Sequence, residues 1–166
     1  MSIAKQLQEL LARCVVTGPE LPGPSRLADP KCVVELDLVD ADGIAAALNF
    51  VRAEPQVPAR LSAPELRSRA ERLAGKLTYL LEPLRLVELD AGGDVAQVRS
   101  HPPRKTDDAK SYYELIANAA GGLDLRRYAK TAGTQPRQQA TMHLTREALA
   151  LLVSDLAEAA SEANPG

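Results

Sequence analysis

Imidazoles and thiols carry much of enzyme and metal chemistry, and this chain of 166 residues holds only two of each: His101, His143, Cys14 and Cys32. His101 stands before Pro102 and Pro103, whereas His143 leads into a C-terminal helical pattern, and neither has a Cys or His beside it. A zinc site would have to gather its ligands from four separated places. The turn-like Asp40-Ala41-Asp42-Gly43 carries two carboxylates. Counting from Gly43, however, puts Leu38 and Asn49 where a calcium loop needs its first and last carboxylate ligands. Asp107 and Asp108 are adjacent in a polar segment, so their side chains diverge into water and form no acid–base dyad. Gly92-Gly93 and Gly121-Gly122 lie between alternating runs, which makes them hairpin turns rather than phosphate loops at a helix start. These residues imply no catalytic group, no metal ligand and no cofactor.

The richest stretch is "SYYELIANAAGGLDLRRYAK", which holds three of the four tyrosines beside Arg126 and Arg127. Strand alternation places Tyr112, Glu114 and Ile116 on one face, and Tyr113, Leu115 and Ala117 on the other. On the return strand Asp124, Arg126 and Tyr128 oppose Leu123, Leu125 and Arg127, so the tyrosines and arginines divide between faces. A base-stacking platform needs several exposed aromatics together, and one Phe, four Tyr and no Trp make that hard to assemble. A hairpin with amphipathic tyrosines and solvated arginines is expected.

Net charge is -2, from 20 basic and 22 acidic residues, which marks the whole chain as neither a polyanion binder nor an acidic tail. From Arg99 to Arg146, nine basic residues face four acidic ones, leaving eleven against eighteen elsewhere. Arg99, Arg104, Lys105, Arg126, Lys130 and Arg137 are the candidate polyanion contacts, at strand ends and loops that could meet at one edge of a sheet.

The elements that must position these groups follow from periodicity. Ile3, Leu7, Leu10, Leu11 and Cys14 recur at helical spacing. The Pro/Gly-rich segment 17–31 follows, unsuited to a helix or a central strand. Residues 32–39 alternate as a strand, and a turn at 40–43 joins them to 44–53, read as its hairpin partner although its alanines also suit a helix. Ser62, Pro64 and Glu65 open a helix whose stripe is Leu66, Ala70, Leu73, Leu77 and Leu80. Two glycine-turn hairpins and "RQQATMHL" then make a five-strand meander, and a helix capped by Thr145 ends the pattern.

Strands in runs, with helices between the runs, predict one α+β domain over residues 1–166: an antiparallel sheet, hairpin plus five-strand meander, with about three helices mainly on one face. Within it, residues 1–16 form an N-terminal helix on the tether 17–31, and 32–162 form the main body.

No segment has the length of a membrane span or the apolar core of a signal peptide, so the reading is cytoplasmic, with both cysteines as core thiols and no membrane partner. The function expected is a non-catalytic protein-interaction or adaptor module, holding a protein partner or a second copy through the stripe Ile3, Leu7, Leu10 and Leu11. The alternatives are nucleic-acid association through the basic segment 99–146, and an enzyme whose site forms only in three dimensions, around His143 with Arg127 or Tyr128.

Overall fold

The structure is a computed structural model and describes residues 1–17, 23–131, 133 and 136–164. Helix α1 (Ile3–Thr17) is followed by strands β1 (Ser25–Ala28), β2 (Cys32–Ala41) and β3 (Ala45–Pro55), then by α2 (Ala63–Lys76) and a 3-10 turn at Thr78–Leu80. Strands β4 (Leu84–Leu89), β5 (Val95–Ser100), β6 (Arg104–Lys105), β7 (Ala109–Asn118) and β8 (Leu123–Thr131) come next. Short β9 (Gln138–Ala140) and β10 (Met142–Thr145) lead into α3 (Arg146–Glu162). All pairings are antiparallel, in the order β1-β2-β3-β8-β7-β5-β4, with β6 on β7, β9 on β8 and β10 on β3.

The α+β class, the hairpin and the helix-covered sheet stand as expected, and β3 occupies the stretch whose alanines also suited a helix. The hairpin and the meander join in one sheet, as expected, because β3 pairs with β8 through Val51↔Leu125, Arg52↔Asp124 and Ala53↔Leu123. One detail differs. The expected fifth meander strand divides at Thr141, with β9 extending β8 and β10 crossing to β3.

The register explains the core. Leu36, Val51, Leu125, Leu115, Val98 and Leu86 are successive cross-strand partners, one apolar row across six strands under the helices. Rows of paired branched side chains are the unit by which a sheet face holds together. Helix α3 lays Leu149, Leu152, Val153 and Leu156 on this face, and α2 adds Leu66, Ala70 and Leu73. Tyr79 Oη donates to Asp155 Oδ2 at 2.8 Å and Lys76 pairs with Asp155 at 3.3 Å, tying the end of α2 to α3.

Helix α1 corrects the expectation of a loosely docked N-terminal arm. Ile3, Leu7, Leu10, Leu11 and Cys14 are buried in the same core as the sheet and α3, so the stripe assigned to a partner is covered by its own chain. The tether supplies the reason, although its residues 18–22 lie outside the described residues. Residues 25–28 form β1, an edge strand bounded by Pro24 and Pro30, where proline disturbs no central ladder. The Gln6 side chain donates to Ala28 O at 2.7 Å and accepts from Ala28 N at 3.0 Å, clamping the helix to that strand. Cys14 and Cys32 are free, and burial pushes both thiols up from their ordinary range.

Ser62 caps α2 as its sequence predicts: its Oγ accepts from Glu65 N at 3.3 Å, and it donates to Glu65 Oε1 at 3.0 Å, so the glutamate of the box meets the serine hydroxyl. Ser62→Ala should therefore cost about 1 kcal/mol in urea denaturation, whereas Ser68→Ala on the exposed side of the same helix should stay within about 0.5 kcal/mol. Equal effects would show that the box contributes nothing.

Candidate functional site

The helices cover one face of the sheet, and the other carries a continuous network of guanidinium, aromatic and carboxylate groups. Its residues fall in rows set by the register. Lys105, Lys110 and Lys130 are directly opposed on β6, β7 and β8. Next comes Tyr112↔Tyr128↔Gln139, then Arg99↔Glu114↔Arg126, then Glu88↔Gln97↔Ile116↔Asp124↔Arg52↔Glu35.

Glu114 is the centre. It is 3% exposed, and its carboxylate accepts from Arg99 Nε at 2.7 Å and from Arg137 Nη1 at 2.8 Å. Arg137 also donates to Tyr112 Oη at 3.2 Å; the bond to Glu114, and then that to Tyr112, push its guanidinium further up into the charged form. Its guanidinium carbon lies 3.8 Å from the Tyr128 ring centroid, and that of Arg99 lies 5.3 Å from the Tyr112 centroid. The two rings tilt together at 6.1 Å. Cation–π and charge-assisted contacts of this kind hold guanidinium planes in fixed orientations.

A second cluster adjoins it. Phe50 shares this face with Arg52, two residues on, and the register shift between Leu36 and Leu38, one extra residue on β3 beside it, turns Leu48 back into the core. Arg52 and Arg126 lie over its ring at 5.0 and 4.8 Å, and both bond Asp124, at 3.1 and 2.9 Å. Asp124 is the first cause that pushes Arg126 up. Between the clusters lies a shallow concavity of about 250 Å3, lined by Arg52, Glu114, Ile116, Asp124, Arg126 and Tyr128 among others.

The six expected polyanion contacts therefore divide. Arg99 and Arg137 share Glu114, and Arg126 shares Asp124 with Arg52, so these three are ion-paired, with two carboxylates serving four guanidiniums. Lys105 and Lys130 join Lys110, which sequence reasoning missed, in the exposed row; Arg104, opposite Ser111, has the other parity of β6. Among the described residues none of these three lysines forms an ion pair, and like charges directly opposed repel.

Arg127 lies on the helix-covered face, as alternation requires, paired to Glu82 at 2.9 Å, donating to Ser111 Oγ at 2.9 Å and stacked on Tyr113 at 4.5 Å. It therefore shares no site with Tyr128, and His143 is exposed on β10 opposite Ala47. Phe50 and Arg52 were also missed, because their neighbours come from a strand some seventy residues away, as the 72-residue separation of Arg52 and Asp124 shows.

The arrangement can present flat, orientation-locked aromatic and guanidinium groups, and at one end of them stands the lysine row, with Asp107 and Asp108 beside it but in no ion pair with it among the described residues. It offers contact chemistry. Among the described residues no helix is long and apolar enough to cross a membrane. Comparison with protein-family models, with curated proteins and with solved structures finds no match.

Proposed function

We propose that the protein is a non-catalytic interaction module that docks a protein partner on the open face of its sheet, in a reducing compartment such as the cytoplasm. The observation that carries this reading is the gathering of Phe50, Tyr112 and Tyr128, three of the five aromatic residues, onto that face, each under an arginine. Aromatic and arginine side chains supply most interface hot spots, and rings already held in place lose little conformational entropy on docking. The Lys105–Lys110–Lys130 row sets the chemistry of the partner: carboxylates opposite it relieve the repulsion.

Site-specific photocrosslinking in the native cell tests the reading. A photoreactive side chain at Gln97 or Ile116, both on the open face, should give a discrete protein adduct that Lys110→Glu abolishes. The same group at Leu151, 46% exposed on α3, should give none. Adducts from Leu151 with none from the open face would overturn the reading. Adducts to nucleic acid, with steep loss as salt rises, would replace the protein partner by a phosphate backbone.

A further inference from the structure

Away from the sheet face, one buried charged group has no direct ion pair among the described residues, although Glu162 stands near enough to act on it through space. Arg69 on α2 is only 5% exposed, yet among the described residues its one hydrogen bond runs from Nη2 to Gly121 O at 3.0 Å, and its buried Nε has no partner. No carboxylate pairs with it among the described residues, unlike Arg99, Arg126, Arg127 and Arg137. Its acceptor is held rigidly: Gly121 has φ +97°, and a Cβ there would lie 2.8 Å from Ala163 Cβ. A buried guanidinium with a single carbonyl acceptor leaves donor capacity unused, which an ordered water, an ion or a ligand can take up.

Arg69 lines a concavity of about 390 Å3 between α2 and the end of α3. Leu61, Pro64 and Ala163 give it an apolar wall, and Ser68 and Arg72 add a hydroxyl and a second guanidinium. Glu65 and Glu162 stand at the same concavity, the first turned to Ser62 and the second 4.0 Å from Arg72. We infer that this concavity is a binding site for a small organic monocarboxylate, with Arg69 as anchor, Arg72 as the outer contact and the apolar wall covering a short hydrocarbon chain. The two glutamates select against a dianion, since each further negative charge meets them at close range. Burial, and then the like charge of Arg72, press the Arg69 guanidinium down from its usual range; Glu162 opposes them in part, and an arriving carboxylate adds to that opposition.

Nuclear magnetic resonance of the full chain tests this directly, with the Arg69 Nε–Hε signal assigned by its loss in Arg69→Lys. Sodium hexanoate should shift that signal and the Gly121 amide along one saturable curve, while hexanol and inorganic phosphate leave both in place. Arg72→Gln should weaken hexanoate by about threefold to tenfold, as expected for one partly exposed charge near the ligand. Arg69→Met should abolish the effect, and the wild-type titration decides without that variant if it fails to fold. No saturable shift with hexanoate would overturn the inference, as would an equal response to hexanol or a stronger one to phosphate.

Discussion

Deleting residues 1–16 should unfold the domain. Ile3, Leu7, Leu10 and Leu11 are each 6% exposed or less, and burying an aliphatic side chain contributes about 1.5–3 kcal/mol, so these four represent roughly 6–12 kcal/mol before conformational costs. Whole domains are stable by about 5–15 kcal/mol, so the loss is of the same size as the total. The deletion also uncovers the apolar surfaces of α3, β1 and β2 on which α1 sits, and removes the Gln6 clamp on Ala28. Circular dichroism should show a low or absent thermal transition, and a hydrophobic dye should bind strongly. Leu7→Ala alone, at a site 1% exposed, should cost about 2–5 kcal/mol in urea denaturation. A truncated chain that melts cooperatively near the wild-type temperature would restore the idea of a detachable helix.

That reversal shows where sequence reasoning stops. The stripe on α1 was legible from its spacing, but what covers it depends on β1, a four-residue strand between Pro24 and Pro30 whose composition resembles a linker. Edge strands tolerate proline, so a proline-rich segment and an edge strand look alike until their partner is known. The hairpins were legible because turn residues sit between alternating runs, and α2 because its capping box and apolar stripe agree. The join of β3 to β8 was not: it is a non-local pairing with no turn to announce it. The candidate site divides in the same way. Alternation places Tyr112 and Glu114 on one face, and Asp124, Arg126 and Tyr128 on one face, but it does not say that those two faces are the same one. The turn at Gly121-Gly122 makes them a single surface, and the β3–β8 pairing adds Arg52 and Phe50 to it, next to a bulge that turns Leu48 inward and breaks the alternation of β3.

Glu114→Ala is expected to cost about 2–4 kcal/mol, from the loss of charge-assisted hydrogen bonds to Arg99 and Arg137 and from the void left at a 3% exposed site. The cost stops there because both arginine side chains are 36% exposed and turn to water instead of remaining as buried unpaired charges. Urea denaturation should show the lower midpoint. Tyrosine fluorescence, in a chain without tryptophan, should report the freed Tyr112 and Tyr128 rings. A double-mutant cycle with Arg137→Ala should give a coupling of about 1–3 kcal/mol; a coupling near zero would mean that the network does not act as a unit. Glu114→Leu separates stability from surface order. Apolar replacement of a buried charge often recovers stability, so this variant should be more stable than Glu114→Ala while leaving Arg99 and Arg137 equally unanchored. If photocrosslinking from Gln97 survives in Glu114→Leu, the ordered guanidinium–aromatic network is not what the partner recognises. Its loss in a variant of recovered stability would assign Glu114 to holding the docking surface in shape.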